Sequence, residues 1–210
     1  MSVPLPVPER TPERPYRALK RPALRAWIRW TAGFLAFPIA GLAGRAAAGP
    51  VDDATSALLG GVATGAVIGA GQALVSSGRL NPPRWAAATA AGSGLGLLLG
   101  AALVGHRTDL GPLALMGAVE GVLLGTAQAC ALPRATRLRW LWAAAMPVLW
   151  ATGWTVTTLA GVGVDARFTV FGATGALTFS ALSGVLLHRL LPATTRARTS
   201  GPGSLREVDA

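Results

Sequence analysis

Residues 61–73 read GVATGAVIGAGQA, and residues 117–129 read GAVEGVLLGTAQA, the same pattern 56 positions further along the chain. Both stretches place glycine at every fourth position and end in Gln-Ala, and Glu120 is the single charged residue in either of them. Glycines at this spacing lie on one helix face and let a second backbone approach closely, as in helix association within lipid. The two stretches therefore predict two equivalent, closely packed membrane helices.

The composition of the whole chain agrees with a membrane setting. Of 210 residues, 51% are hydrophobic and only 13% are charged, which leaves too little polar surface for a water-soluble fold. The net charge is +10, but the basic residues cluster between long uncharged runs, a pattern typical of membrane topology and not of nucleic-acid binding. Cys130 is the one cysteine, which excludes a disulfide within the chain and a cysteine-based metal site.

Six runs of the chain are long and apolar enough to cross the hydrocarbon core, which takes about 20 residues of helix. Lipid offers no partners for backbone amides, and the runs lack the alternating pattern of barrel strands, so each is predicted to be an α-helix. The predicted fold class is therefore an all-α membrane bundle of six transmembrane helices. The predicted spans are residues 30–48, 56–75, 85–105, 110–132, 140–164 and 168–187.

Three kinds of landmark recur along the chain at intervals of 55 or 56 residues. An Arg-Trp pair opens each odd-numbered span, an aspartate lies in the loop that follows, and a glycine lies near the start of each even-numbered span. They are Arg29-Trp30, Arg84-Trp85 and Arg139-Trp140; Asp53, Asp109 and Asp165; and Gly61, Gly117 and Gly172. The spacing predicts three tandem, parallel two-helix repeats, residues 29–83, 84–138 and 139–190, about a pseudo-threefold axis. The third repeat is degraded, with Ser180 and Ser183 where the second has Gly125 and Gln128.

The basic residues predict which side of the membrane each loop faces. Sixteen Lys and Arg residues fall in the N-terminal tail and after the even-numbered spans, against three in the other loops. By the positive-inside rule both termini are cytoplasmic, in a multi-pass protein of the plasma or inner membrane. Five tryptophans near the same boundary are expected to form an interfacial belt: Trp27, Trp30, Trp85, Trp140 and Trp142. The alternative for the first span is a signal peptide cleaved near Ala46-Ala47-Ala48.

The two ends of the chain differ from the spans in composition. Residues 1–28 form a Pro- and Arg-rich cytoplasmic tail, and residues 191–210 form a polar tail predicted to be disordered. Arginine recurs every fourth residue ahead of the first span, which predicts an interfacial helix that contacts anionic lipid headgroups. The candidates are Arg17, Arg21, Arg25 and Arg29. The alternative is that these arginines only direct the topology.

The glycines at every fourth position, a glycine zipper, are the candidate helix-packing residues: Gly61, Gly65, Gly69, Gly117, Gly121 and Gly125. Two partners for these faces are left open, namely other helices of the same chain and a second copy of it. Gln72 and Gln128 follow the last glycine of each set on roughly the same face. Because an amide is costly in lipid, each is expected to hydrogen-bond across helices or to line a pore.

Glu120 is the single acidic residue at mid-depth in a predicted span. An intramembrane acid is by default a functional candidate, here a proton carrier or a cation ligand. The alternative is a protonated carboxyl group that bonds to Thr64, Gln72 or a serine. The candidate intramembrane polar site comprises Glu120, Gln72, Gln128 and Thr64. Each odd-numbered span also carries a helix-disrupting feature, which would suit a transporter with broken helices: Pro38, Gly92-Ser93-Gly94 and Met146-Pro147.

Motifs of enzymes and metal sites are missing from the sequence. It contains no Walker loop, no H-E-x-x-H and no G-x-S-x-G. The two histidines, His106 and His188, are predicted on opposite sides of the membrane, so they cannot share a site. We therefore predict no enzymatic activity, no cofactor and no metal.

The recurring string of Arg-Trp, an Ala- and Gly-rich span and G-x-x-x-G-x-x-x-G-x-x-Q-A resembles the tandem repeats of uncharacterised bacterial multi-pass membrane proteins, over residues 29–190. This resemblance implies no assigned activity. The sequence favours a non-enzymatic packing or assembly module that contacts anionic lipid and a second copy or another membrane protein. The alternative is a small-solute or ion permease that uses Glu120, Gln72, Gln128 and the broken odd-numbered helices.

Overall fold

The computed structural model describes residues 16–163 and 168–191, with side chains from residue 23 onward in those ranges. Every regular element in this part of the chain is helical. The helices are α1 (Tyr16–Ala32), α2 (Ala36–Ala48), α3 (Ala54–Val75), α4 (Pro82–Val104), α5 (Leu110–Ala131), α6 (Arg139–Leu159) and α7 (Ala173–Leu190). A 3-10 turn, Gly33–Leu35, joins α1 to α2 without a break, so the described chain forms six helical rods.

Local sequence explains where α3 and α4 begin. The Asp53 carboxylate accepts a hydrogen bond from the Ser56 backbone N–H at 2.7 Å, and the Ser56 hydroxyl accepts one from the Asp53 N–H at 3.0 Å. These two bonds to Ser56 hold the pKa of Asp53 below its usual range because they favour the charged carboxylate. At α4, the Asn81 side chain accepts from the Arg84 N–H at 3.1 Å, and two prolines occupy the first helical positions, which need no donor.

The six rods form a closed ring in chain order. Each rod packs antiparallel against the next, and α7 returns to pack against α1. Gly61 of α3 faces the backbone of Ser93 in α4, for example, whereas Gly69 faces Ala86 nearer the start of α4. The connections therefore collect at two ends. We call the end with connections 76–81 and 132–138 the basic end, and the end with connections 49–53 and 105–109 the acidic end.

Four helices are long and apolar enough to cross a membrane: Ala23–Ala48, Ala54–Val75, Pro82–Val104 and Leu110–Ala131. The prediction of an all-α membrane protein is confirmed at this level. α6 and α7 are not among the four. α6 contains four tryptophans and four threonines, which lower its mean hydropathy, and α7 has 18 residues with His188 and Arg189 in its last turn. Six spans and a threefold repeat stay predictions.

The predicted bounds of the fifth and sixth spans are wrong. α6 ends at Leu159, not at residue 164, and Gly161 follows with a φ of 69°, a left-handed conformation that ends helices. α7 begins at Ala173, not at residue 168, with Gly172 as its N-cap. Part of the predicted sixth span therefore lies in the connection, from which Phe171 enters the core.

Several predicted features lie outside the described residues. They are residues 1–15 and 192–210 of the tails, Asp165, and the side chains of Arg17 and Arg21. The other two headgroup candidates, Arg25 and Arg29, lie on α1. Arg29 Nη1 donates a hydrogen bond to Ser77 Oγ at 3.1 Å, which ties α1 to the connection between α3 and α4.

Aromatic rings fill the middle of the bundle, and large aliphatic side chains cover its outside. Phe37, Trp150, Phe171 and Phe179 pack together with ring centroids 4.8 to 6.1 Å apart. On the outside, Leu74 is 80% exposed, and it is one of many outward-facing leucines and valines. An apolar surface of this extent is costly in water and favourable in lipid.

Candidate functional site

At the basic end, two buried tryptophans donate hydrogen bonds to glutamines on the preceding helix. Trp85 Nε1 of α4 donates to Gln72 Oε1 of α3 at 2.9 Å, and Trp142 Nε1 of α6 donates to Gln128 Oε1 of α5 at 2.9 Å. The two pairs are separated by 13 and 14 residues in sequence, so the same contact is made twice along the chain.

A third contact of this kind joins the first rod to the last. Trp30 Nε1 of α1 donates to Ser183 Oγ of α7 at 3.0 Å. The Trp142 ring lies edge-on to Trp30, with centroids 6.2 Å apart, and to Trp85, with centroids 5.9 Å apart. Trp30, Trp85 and Trp142, which we call the tryptophan triad, therefore link all six rods through their acceptors.

The two glutamines are held in one hydrogen-bond network. Gln128 Nε2 donates to Thr89 Oγ1 of α4 at 3.0 Å, and Thr89 Oγ1 donates to the Trp85 carbonyl at 2.8 Å. A longer contact of 3.5 Å joins Gln128 Nε2 to Gln72 Oε1. Both amides are thus engaged inside the bundle, where hydrogen bonding offsets the cost of burying them.

The predicted interfacial belt is wrong for the tryptophan triad, whose members are at most 2% exposed. Their indole N–H groups bond across helices, so the rings point into the bundle and not toward headgroups. Trp140, assigned to the third repeat from its Arg-Trp pair, is 58% exposed. Trp142 lies about 200° further around the helix and takes the inward position. The near-constant spacing from Gln to Trp is the sequence signal that identifies Trp142.

Glu120 of α5 is buried at 1% exposure and lies against Gly96 of α4. Its Oε2 atom has no hydrogen-bond partner among the described residues. The Trp150 indole lies close enough to interact with the carboxyl group, yet its Nε1 atom completes no hydrogen bond either. Two buried polar groups therefore face each other's vicinity without full satisfaction, which makes Glu120 the least stabilised polar residue of the core.

The predicted partners of Glu120 are engaged elsewhere. Thr64 Oγ1 donates to the Ala40 carbonyl at 3.2 Å and pairs with Thr169 Oγ1 at 2.6 Å. Gln72 accepts from the tryptophan triad, and no serine in the described ranges bonds to Glu120 Oε2. The expected bonds from Glu120 to Thr64, Gln72 or a serine are therefore not formed. The four-residue polar site is divided into a glutamine pair, a threonine pair and a separate carboxyl group.

The six candidate packing glycines face neighbouring helices of the same chain. A Cβ added to Gly65 would lie 2.6 Å from the Thr89 carbonyl oxygen, and one added to Gly121 would lie 2.6 Å from the Met146 carbonyl oxygen. Contacts as close as these are found along both series: Gly61, Gly65 and Gly69 against α4, and Gly117, Gly121 and Gly125 against α6. Backbones at this distance leave no room for a side chain.

A third glycine series on α4 was interpreted differently from the sequence. Gly92, Gly96 and Gly100 face α5, where an added Cβ would lie 2.6 to 2.8 Å from the nearest atoms of Leu124, Glu120 and Met116. The predicted helix breaks are not present, because α2, α4 and α6 continue through Pro38, Gly92-Ser93-Gly94 and Pro147. Packing against neighbouring helices allows such residues inside membrane helices.

Three clefts on the described surface differ in position and lining, and Glu120 lines none of them. A cavity of about 20 Å³ lies at the acidic end beside His106 and Trp154. A largely apolar cleft of about 330 Å³ lies between α2 and the connection from α6 to α7. The third, of about 670 Å³, lies at the basic end and includes Arg79 and Arg84.

These features define the class of protein: an all-α bundle closed from α7 to α1, with four helices able to span a membrane. Residues 16–163 and 168–191 contain no group of three or more His, Cys, Asp or Glu residues that could hold a metal ion. No family model matches the sequence, and no curated protein or solved structure is significantly similar to it.

Proposed function

We propose that this protein is a non-enzymatic membrane module for packing and assembly, built from three tandem two-helix repeats that enter the bilayer in the same sense. The observation that carries the proposal is the tryptophan triad. Each of its hydrogen bonds joins a different pair of neighbouring repeats, and the third bond closes the ring. A closed bundle of this kind presents a fixed outer surface to lipid and to membrane partners.

The spacing of the donors and acceptors supports the threefold repeat. The tryptophans Trp30, Trp85 and Trp142 are 55 and 57 residues apart, and the acceptors Gln72, Gln128 and Ser183 are 56 and 55 residues apart. The third repeat keeps the contact although serine replaces glutamine. The glycine zippers on α3 and α5 also make equivalent contacts, each with the helix that follows.

The packing of α6 and α7 supports their location in the bilayer with the other four rods. α6 lies along α5, and α7 lies along α1, so both share the level of helices that are apolar enough to span. The basic end carries most of the arginines, and by the positive-inside rule it faces the cytoplasm of the cell, together with both termini.

The filled interior favours assembly over permeation. A solute pathway needs a polar cavity that reaches mid-depth, whereas the middle of this bundle is occupied by Phe37, Trp150, Phe171 and Phe179. The outside, by contrast, offers broad apolar surface to a second copy or to another membrane protein. We expect specific contacts there to be made by shape and dispersion, since lipid supplies no hydrophobic driving force between helices.

The test is the oligomeric state of the full chain in its native membrane, measured by cross-linking and then by mass after extraction in mild detergent. The proposal expects a discrete complex in wild type and in Glu120→Gln, and its loss in Gly121→Leu, which forces α5 away from α6. A wild-type chain that is monomeric and cross-links to no other protein would contradict it.

A permease is the second candidate function, and the unpartnered Oε2 atom of Glu120 is the observation in its favour. A buried carboxyl group without a partner is a default proton or cation site. Proteoliposomes containing a pH-sensitive dye would test this function. Flux in wild type that disappears in Glu120→Gln, with unchanged thermal unfolding, would replace the assembly proposal with the permease.

A further inference from the structure

The charges of the described chain are strongly segregated between the two ends of the bundle. Its acidic residues are Asp52, Asp53 and Asp109 at the acidic end and Glu120 in the middle. The basic end has no acidic residue among the described positions and carries eight arginines: Arg25, Arg29, Arg79, Arg84, Arg134, Arg137, Arg139 and Arg189. Any counter-charge at the basic end must therefore come from lipid, from solution or from outside the described part of the chain.

Two of these arginines line the largest of the three clefts. The cleft of about 670 Å³ lies where α3 ends, α4 begins and α5 ends, and its walls include Leu74, Arg79, Asn81, Arg84 and Pro133. Its position at the end of three helices places it at headgroup depth if the bundle spans a bilayer. Leu74 is the wall that continues onto the outer apolar surface of α3.

Each guanidinium group is fixed by one backbone carbonyl. Arg79 Nε donates to the Ser76 carbonyl at 3.0 Å, and Arg84 Nη2 donates to the Cys130 carbonyl at 2.6 Å. These bonds leave other N–H donors of both groups without a partner in the described chain. Because the anchoring bonds restrict rotation, part of the entropy cost of binding an anion is already met.

Arg79 is a half-buried cation without a carboxylate partner in the described ranges. Burial lowers the pKa of Arg79, because a charged guanidinium loses solvation, although an arginine stays protonated at neutral pH. A guanidinium group pairs with phosphate through two parallel, charge-assisted hydrogen bonds. An anion in the cleft would thus supply the counter-charge that this end of the protein lacks.

We propose that the cleft between Arg79 and Arg84 binds a phosphate group, as the headgroup of an acidic phospholipid or as a soluble phosphate. The guanidinium groups take the phosphate oxygens, and Asn81 supplies a neutral polar wall. In the lipid case, the acyl chains follow Leu74 onto the outside of α3. The site is separate from the tryptophan triad and does not depend on the assembly function.

Native mass spectrometry of the full chain, released from detergent in the presence of phosphatidylglycerol, phosphatidylcholine or inorganic phosphate, tests this proposal. The variant is Arg79→Gln/Arg84→Gln. The matched control is Arg134→Gln/Arg137→Gln, which removes the same charge from exposed positions at the same end, outside the cleft. At roughly tenfold per 1.4 kcal/mol, two lipid-binding arginines predict about 30-fold weaker retention of phosphatidylglycerol in the variant.

Retention of phosphatidylglycerol that falls in the cleft variant and not in the control supports a lipid site. Retention of inorganic phosphate with the same variant dependence supports a soluble phosphate as ligand. An equal fall in variant and control, or no retention in wild type, overturns the proposal. Because the double variant removes the bond that anchors the 76–81 connection, Arg84→Lys provides a milder test. It keeps the charge but loses the paired donors, and it should weaken retention several-fold with unchanged circular dichroism.

Discussion

Trp142 and Gln128, 14 residues apart in sequence, meet through a 2.9 Å hydrogen bond between the indole N–H and the side-chain carbonyl inside the bundle. Trp85 and Gln72 make the same bond between the preceding pair of helices. In lipid, where burial of apolar surface gives no net gain between helices, such bonds and close backbone packing hold the rods together. The contact is therefore a direct target for mutation.

Replacing Trp142 with Phe removes the donor and leaves Gln128 Oε1 with an unsatisfied bond. We expect the variant to lose about 1–3 kcal/mol of stability, since a buried polar group without a partner costs that much. Trp140→Phe, the same change at the exposed neighbour, should stay within about 0.5 kcal/mol of wild type. Unfolding in mixed micelles measures both, and equal effects would contradict the inward role of Trp142.

Adding a methyl group at Gly121 should destabilise the contact between α5 and α6. The new Cβ of Gly121→Ala would lie 2.6 Å from the Met146 carbonyl oxygen and from Pro147 Cα, so the backbones must move apart. Overpacking of this kind costs about 1–3 kcal/mol. Gly111→Ala is the control, because nothing lies within 4 Å of its added Cβ. A melting temperature lowered equally by both changes would exclude a specific helix contact.

The cap of α3 predicts a pH dependence. Because the pKa of Asp53 is lowered in the folded protein, its contribution to stability is present above its ordinary value of 3.8 and is lost as the pH falls through the folded pKa. Asp53→Ala should therefore lower the melting temperature at pH 6 and have little effect at pH 2. Asp109 begins α5 without a side-chain cap bond, so Asp109→Ala should show a weaker pH dependence. Thermal unfolding of both variants across this range decides the matter.

The topology can be tested with the native cysteine. Cys130 is exposed near the basic end, which is proposed to face the cytoplasm. A membrane-impermeant maleimide should label Cys130 in inverted vesicles and not in intact cells, and a Cys130→Ser/Asp109→Cys variant should show the opposite pattern. Labelling of both positions from one side would contradict antiparallel spans that run from end to end.

Patterns within single helices were enough to predict the helical class and the close-packed faces. Gly65 and Gly121 could be assigned to packed surfaces because a glycine at every fourth position defines one face whatever the helix contacts. The end of α6 could not be placed, since the apolar run continues past Leu159 and the turn at Gly161 depends on local backbone conformation.

Partners across helices depended on rotation about each helix axis, which no single span records. Glu120 was expected to bond to Thr64, yet Thr64 pairs with Thr169, a residue of the connection before α7. The predicted repeat aligned Trp140 with Trp85 because both follow arginine, whereas the inward position belongs to Trp142. Comparing the distance from each tryptophan to the preceding glutamine would have separated the two.

The bond between Trp30 and Ser183 joins residues 153 positions apart. At a synthesis rate of about 5–20 residues per second, the Trp30 indole waits roughly 8–30 s for its acceptor after it leaves the ribosome. During that time the first rod has a neighbour on one flank only, and nascent chains on crowded ribosomes can offer the missing helix in trans. Translation speed over the last two rods thus controls whether rings close on themselves or exchange helices.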